Sequence, residues 1–145
     1  MDALLENRKA RMQYAIIETM EAGVVLTGAE VKSLRLKRGS LNEGFVKVLN
    51  GQAQLINVLI QQYDFTPGKT YDPTRTRPLL LHKKEIEKLD EYLHVKGLTA
   101  MPLMIGIKHR YIKVLIGIGK GKKQHERREE LKRRDIEREV KRLIK

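Results

Sequence analysis

A glycine- and lysine-rich segment late in the sequence has the composition of a phosphate-binding loop. It reads Gly-Ile-Gly-Lys-Gly-Lys-Lys over residues 117–123. A nucleotide-binding loop requires the spacing G-x-x-x-x-G-K followed by Ser or Thr, whose hydroxyl holds magnesium. The segment has neither that spacing nor a hydroxyl residue. It therefore predicts a flexible basic hinge that binds nucleic-acid backbone, not a nucleotide site.

The histidines and carboxylates form no catalytic or metal-binding pattern. The chain has no cysteine and no G-x-S-x-G motif, so a zinc site with Cys ligands and a nucleophile elbow are both excluded. Its four histidines are scattered over separate predicted elements: His82, His94, His109 and His125. We expect no metal, no cofactor and no enzymatic activity. His125 lies in a basic tail, where its ring could stack on a base or simply be solvated.

Two arginines lie two residues apart in a polar segment. Arg75 and Arg77 follow Asp72-Pro73, and side chains two apart in an extended chain project from the same side. A pair of parallel guanidinium groups suits phosphate oxygens. The spacing predicts a phosphate clamp.

Short strands and two helices must position these groups. Residues 12–18 and 23–26 are β-rich and bounded by Gly and charged residues, which predicts two strands. Thr27 and Glu30 form a capping box for a helix that ends near Gly39 and carries the cations Lys32 and Arg35.

Turn signals place the remaining elements. Asn50-Gly51 predicts a hairpin of residues 45–49 and 52–60, followed by a polar loop over 61–78 and a helix over 83–94. A second hairpin, 98–107 with 111–118, turns at His109-Arg110, and Pro102 indicates an edge or bulge. The fold class is mainly β with peripheral α-helices. About six strands with two helices in residues 1–119 suggest an OB-fold-like closed β-barrel.

The last part of the sequence is a basic C-terminal tail. Residues 120–145 contain 12 Lys and Arg against 6 Asp and Glu, whereas residues 1–119 contain 18 against 12. Favourable i,i+4 charge pairs encourage helix, but the apolar stripe is thin. We expect a tail that is disordered alone and helical against a partner.

The charge balance indicates a polyanionic partner. The 145-residue chain has a net charge of +12, and such an excess favours phosphate neutralisation with counterion release. No signal peptide or apolar run of membrane-spanning length is present. We expect a cytoplasmic protein that binds nucleic acid and no membrane.

Six short motifs occur together in one order and spacing. They are Asn7-Arg-Lys-Ala-Arg11, Glu21-Ala-Gly23, Gly28-Ala-Glu30-Val-Lys-Ser-Leu-Arg35, Asp72-Pro-Thr-Arg-Thr-Arg77, Leu79-Leu-Leu-His82 and Gly119-Lys-Gly-Lys-Lys123. With this set the sequence resembles the SsrA-binding protein (small protein B) family along nearly its whole length.

The resemblance implies a role in translation. A protein of this family is expected to bind the tRNA-like domain of transfer-messenger RNA (tmRNA, SsrA RNA) and deliver it to stalled ribosomes for trans-translation. The barrel would fill the space of an anticodon stem. The tail would enter the small-subunit decoding centre and the empty mRNA channel, while catalysis would belong to the ribosome.

Individual roles follow from the same resemblance. Asn7, Glu21 and Leu80 would contact the RNA, with Arg8, Lys9 and Arg11 on its backbone. Because phosphates repel a carboxylate, Glu21 would accept bonds from base groups or a 2′-OH; the alternative is a strand-end Glu paired with a nearby lysine. With the cations noted above, the expected RNA-binding set is Asn7, Arg8, Lys9, Arg11, Glu21, Lys32, Arg35, Arg75, Arg77 and Leu80.

The resemblance also covers the start of the tail. The residues expected to bind the ribosome are Lys120, Lys122, Lys123, His125, Glu126, Arg127 and Arg128. Two positions depart from the family pattern: Glu126-Arg127 stands where Asp-Lys is usual, and Met12 stands where many relatives carry His.

Two other functions remain open from the sequence. Basic barrels with long cationic tails are typical of permanent ribosomal proteins, which would be present at one copy per ribosome. An RNA-processing nuclease would need a metal-ligand cluster, and none is apparent.

Overall fold

The computed structural model describes residues 1–63 and 70–122, together with Arg138. The helices are α1 (Arg8–Gln13), α2 (Gly28–Arg35) and α3 (Lys83–His94). The strands are β1 (Asp2–Glu6), β2 (Tyr14–Val24), β3 (Gly39–Ser40), β4 (Phe45–Leu49), β5 (Gln52–Ile56), β6 (Leu59–Ile60), β7 (Arg77–Leu80), β8 (Leu98–Lys108) and β9 (Tyr111–Gly121). The predicted class, mainly β with a few helices, is confirmed.

Six strands pair successively and return to the first. The order is β8–β4–β5–β7–β2–β9, and β9 pairs with β8 again. All of these pairings are antiparallel. β1 adds to β8, and β3 with β6 forms a separate two-stranded sheet. Fully buried aliphatic side chains fill the core, among them Leu55, Leu89, Ile105, Ile116 and Ile118.

Each helix begins at a hydrogen-bonded cap. Asn7 accepts a bond from the Ala10 amide to start α1. The predicted capping box of Thr27 and Glu30 is present at α2, with both reciprocal bonds formed. α3 spans the predicted residues 83–94 and packs against β4 and β8. None of these helices has the length and apolar character that a bilayer span requires.

The N-terminal segments differ from the prediction. Residues 12–18 and 23–26 were expected to form two strands, yet β2 is one continuous strand because β9 pairs along it from Tyr14 to Gly23. β1 and α1 were not predicted. Residues 8–13 are helical because the Asn7 side chain accepts a hydrogen bond from the free Ala10 amide in the first turn, a local cap that outweighs weak strand propensity.

The predicted turns agree with the structure better than the predicted N-terminal strands do. Asn50-Gly51 joins β4 to β5, and both residues have positive φ, at 51° and 73°. The predicted strand 52–60 breaks at Asn57, whose φ of 58° ends β5 before β6. β8 and β9 form the second predicted hairpin, with a register shift at Pro102. β7 begins at Arg77, inside the segment predicted as a loop.

Candidate nucleic-acid interface

A groove of about 970 Å³ runs between β2, β7 and the beginning of α3. Its walls carry both charged and apolar groups, and its lining includes Glu18, Glu21, Leu80, Lys88 and Lys113. The fold therefore brings together Glu21 and Leu80, two of the residues expected to contact RNA, although they are far apart in the sequence.

An apolar contact forms one side of the groove. Gly23 on β2 pairs with Lys113 on β9 and with Leu80 on β7, so the three residues form a row across the sheet. Leu80 is 61% exposed. A Cβ at Gly23 would lie 3.2 Å from the Leu80 Cβ. The glycine thus lets Leu80 lie close over β2 while most of its side chain faces solvent.

The carboxylates of the groove are paired with lysines. Lys88 Nζ donates to Glu18 Oε1 at 2.7 Å, and the Tyr92 hydroxyl donates to the same carboxylate. The Lys88 hydrogen bond is the main reason that the pKa of Glu18 lies below its ordinary value. Lys108 Nζ donates to both Glu21 oxygens, at 3.1 and 3.0 Å. Without RNA, Glu21 is therefore paired with a nearby lysine.

Three further cations lie at the other end of β2. Arg8, Lys9 and Arg11 are exposed on α1, and Lys9 Nζ reaches Glu43 Oε1 at 2.7 Å. α1 leads directly into Tyr14, nine residues before Gly23. At about 3.3 Å per residue, roughly 13 Å of strand separate Tyr14 from Glu18, where the groove begins, and roughly 30 Å separate Tyr14 from Gly23. A ligand that touches both groups must extend along β2.

The cations of α2 form a third group. Lys32 and Arg35 are both exposed. The Lys32 ammonium lies 5.4 Å from the centre of the Tyr63 ring, within cation–π range. α2 packs against β1 and β6.

Asn7 is not available to RNA in this structure, which corrects its predicted role. Its side chain is buried, with 1% exposure. The amide nitrogen donates to the carbonyls of Leu41 at 3.1 Å and Pro102 at 2.9 Å, while the oxygen accepts from Ala10 at 3.0 Å. These three bonds join α1 to β8 and to the segment after β3. Asn7 is a structural residue.

The predicted phosphate clamp of Arg75 and Arg77 is also corrected. The two side chains do point the same way, but they bind Glu30 of α2. Arg77 is fully buried; its Nε lies 2.7 Å from Glu30 Oε2, and its Nη1 donates to the Val58 carbonyl at 2.8 Å. Arg75 Nε donates to Glu30 Oε2 at 3.1 Å, and its Nη2 donates to Oε1.

This cluster fixes the ionisation of Glu30. Burial by itself would raise the pKa of the carboxyl group. Hydrogen bonds from Arg75, from the Thr27 amide and from Arg77 outweigh that effect and lower the pKa to about 2. The charged carboxylate therefore stabilises the fold by binding both guanidinium groups.

Apart from Arg138, only the first three tail residues, 120–122, are described. Lys120 is exposed near the end of β9, and the Lys122 amide donates to the Gln13 carbonyl at 2.8 Å. The tail therefore leaves the body beside the end of α1. The other tail residues expected to bind the ribosome, Lys123, His125, Glu126, Arg127 and Arg128, lie outside the described residues.

Sequence reasoning missed the basic groove residues. Alternation in β9 could have identified Lys113, because Ile112 and Val114 on either side of it belong to the apolar interior. No pattern could have found Lys88, since its partner Glu18 is 70 residues away. Within the described ranges, no cluster of His, Asp or Glu could hold a metal ion.

Comparison with known proteins decides the family. The family model described as SmpB protein matches residues 4–145. This chain belongs to the SmpB family. Within the SmpB family, the SsrA-binding protein of Ligilactobacillus salivarius (strain UCC118) is 51% identical over 144 residues, covering 99% of this chain and 93% of the relative. The SsrA-binding protein of Limosilactobacillus reuteri (strain DSM 20016) is 51% identical over 142 residues, covering 98% of this chain and 90% of the relative.

A solved structure of an SmpB protein has the same fold as this chain. A chain from the structure described as "tmRNA-SmpB: a journey to the center of the bacterial ribosome" aligns with a TM-score of 0.70 at 45% identity. The alignment covers 83% of this chain and 85% of that one. At this identity the likeness reflects a shared family as well as a shared fold.

Proposed function

We propose that this chain binds tmRNA through its tRNA-like domain and delivers it to stalled ribosomes for trans-translation. The observation that carries the proposal is the near full-length identity of 51% to proteins named for SsrA binding. The solved SmpB chain, described with tmRNA and the bacterial ribosome, supports the same partners. The chain acts as a binding protein in the cytoplasm, and the ribosome supplies the catalysis.

The returning strand order supports a closed barrel of the OB type. Every strand in the series β8–β4–β5–β7–β2–β9 has two partners, which leaves no open edge within that series. Antiparallel barrels of this kind bind oligonucleotides on one strand face. Residues 1–119 form this barrel in our proposal, and residues 120–145 form the separate tail.

The groove reads the RNA by shape and base groups. Leu80 offers an exposed apolar surface to a ribose or base, and Glu21 offers two acceptor oxygens. A carboxylate repels phosphates, so Glu21 favours base amino or imino groups or a 2′-OH. An RNA donor that replaces Lys108 at one Glu21 oxygen frees the lysine to neutralise phosphate. This exchange of partners favours an RNA whose shape places a donor group at Glu21 over nonspecific RNA binding.

Exposed cations outside the groove hold the RNA backbone. Arg8, Lys9 and Arg11 lie on α1, and roughly 13 Å of β2 separate Tyr14 from Glu18 at the near end of the groove, a span that a folded RNA helix can bridge. Lys32 and Arg35 add charge on α2. Each phosphate that these groups neutralise steepens the loss of affinity with salt, with a slope of about 0.7 to 0.9 in log affinity against log salt.

The tail provides the contact with the ribosome. Lys120 and Lys122 begin this basic stretch beside α1, and Lys123, His125, Glu126, Arg127 and Arg128 continue it. In our proposal these residues enter the decoding centre and the empty mRNA channel, where ribosomal RNA presents phosphates to cations. The tail becomes helical there.

Comparative binding tests the proposal. We would measure affinity for the isolated tRNA-like domain of tmRNA beside an elongator tRNA, at one stated salt concentration. The protein should prefer the tRNA-like domain, and Leu80→Ala and Glu21→Gln should each reduce that preference about ten-fold. Leu49→Ala is the matched control, because Leu49 is also exposed but lies outside the groove.

A different outcome of this binding measurement would contradict the proposal. Equal binding of the two RNAs, abolished together by moderate salt, would mean that net charge alone holds RNA. The permanent ribosomal protein would then be the better interpretation, and a constant copy number per ribosome in high salt would support it.

A further inference from the structure

The turn between β8 and β9 has an unusual composition for its backbone. His109 and Arg110 have φ values of 50° and 71°. The turn between β4 and β5 has nearly the same pair of angles but uses Asn50 and Gly51, the residues that such a turn prefers. Positive φ is unfavourable for bulky residues. The β8–β9 turn therefore keeps His and Arg at a cost in stability that Asn-Gly would avoid.

The residue after this turn is unusually exposed. Tyr111 is 70% exposed, the highest value among the large hydrophobic side chains of the described residues. Leu80 comes next, and it lines the groove. Within residues 1–63 and 70–122, the side chains of His109, Arg110 and Tyr111 have no hydrogen-bond or ion-pair partner. The tip thus presents a free aromatic ring beside a free cation.

Strand register places this ring on the same surface as the groove. Lys108 pairs with Tyr111 and Gly106 with Lys113, so Tyr111 and Lys113 face the same side, two residues apart. Glu21 pairs with Leu115, which continues that outward face. Lys113 lines the groove, and Lys108 binds Glu21. Tyr111 therefore extends the groove surface by roughly 7 Å beyond Lys113.

We propose that the β8–β9 hairpin tip is an additional RNA contact, in which Tyr111 stacks on an unpaired or terminal base and Arg110 binds the adjacent phosphate. The ligand is the RNA that occupies the groove, so the inference rests on the proposed function. An exposed Tyr ring stacks on any base, and a guanidinium group binds phosphate oxygens through paired donors. His109 widens the same surface.

Two variants test the tip without harming the fold. His109→Asn with Arg110→Gly installs the favoured turn and should preserve or raise the thermal midpoint. Tyr111→Thr keeps a residue suited to strands and removes the ring. Each should weaken binding of the tRNA-like domain about ten-fold. The turn variant should also reduce the slope of log affinity against log salt by about 0.7 to 1.

Lys96→Gln is the matched control, since Lys96 is exposed at the end of α3 and lies away from the tip. It should change affinity less than two-fold. Wild-type protein that shows no preference for the tRNA-like domain would defeat the proposed function itself. Wild-type preference combined with unchanged affinity in both tip variants would overturn the hairpin inference alone. Loss of tagging on ribosomes with unchanged RNA affinity would also overturn it.

Discussion

Glu30 shows how a single buried carboxylate can organise residues that are distant in the sequence. It caps α2 and also binds Arg75 and Arg77. Its folded pKa of about 2 lies below the ordinary value of 4.5. A lowered pKa contributes stability above pH 4.5 that is lost as the pH falls towards 2, and the difference corresponds to about 3 kcal/mol at neutral pH.

We predict that Glu30→Gln lowers the free energy of unfolding at pH 7 by about 3 to 5 kcal/mol, because Arg77 would remain buried without its counter-charge. The variant should also lose most of the decline in stability between pH 4.5 and 2. Urea unfolding at several pH values measures both effects. Glu43→Gln, which removes only an exposed ion pair with Lys9, should cost less than about 1 kcal/mol.

Asn7 and Leu80 should respond to substitution in opposite ways. Asn7→Ala removes the side-chain bonds to the Leu41 and Pro102 carbonyls and to the Ala10 amide, although the Leu41 carbonyl still accepts from the Gly44 amide, so it should reduce the free energy of unfolding by about 2 to 4 kcal/mol. RNA affinity of the folded variant should stay near wild type. Leu80→Ala should weaken RNA binding and leave stability within about 0.5 kcal/mol. Chemical unfolding and RNA titration of both variants distinguish the roles; reduced affinity in well-folded Asn7→Ala would contradict the structural role.

At the scale of elements, Gly51 and Gly28 differ in whether the backbone requires glycine at that position. Gly51 has a φ of 73°, whereas Gly28 at the start of α2 has no atom within 4 Å of an added Cβ. Gly51→Ala should therefore lower stability by about 1 kcal/mol or more, and Gly28→Ala should raise it by up to about 1 kcal/mol. Thermal unfolding of the two variants is the measurement, and equal shifts in one direction would contradict this assignment.

The sequence predicted correctly the elements whose signals lie within a few neighbouring residues. The Thr27–Glu30 capping box, the Asn50-Gly51 turn and the helix over 83–94 all depend on neighbours a few residues apart. β1 has no clear alternation, so only its pairing with β8 defines it as a strand.

The candidate site also depends on contacts between residues that are distant in the sequence. The resemblance supplied Glu21 and Leu80, and their shared groove follows from the pairing of Gly23 with Leu80. The equal-side projection of Arg75 and Arg77 was correct. Their partner, Glu30, is more than 40 residues away, and sequence spacing holds no information about it.

At the scale of the whole molecule, body and tail have separate tasks in our proposal. Removing residues 123–145 deletes ten Lys and Arg and six Asp and Glu, yet retains the Lys122 bond to Gln13. The truncated protein should keep its fold and bind the tRNA-like domain within about three-fold of wild type, because the groove is intact. Peptide tagging on stalled ribosomes should be lost. Normal tagging by the truncated protein would contradict this division.

The ladder between β2 and β9 has a consequence for the synthesis of the protein. Tyr14 pairs with Gly121, so β2, which is made early, must wait for β9, the last described strand, before its edge is covered. Pairings so distant in sequence form slowly, and uncovered strand edges promote aggregation. A chain released before β9 is made would leave the edges of β2 and β8 that pair with β9 uncovered. The protein proposed to rescue incomplete translation thus has a fold that closes only after β9 has been translated.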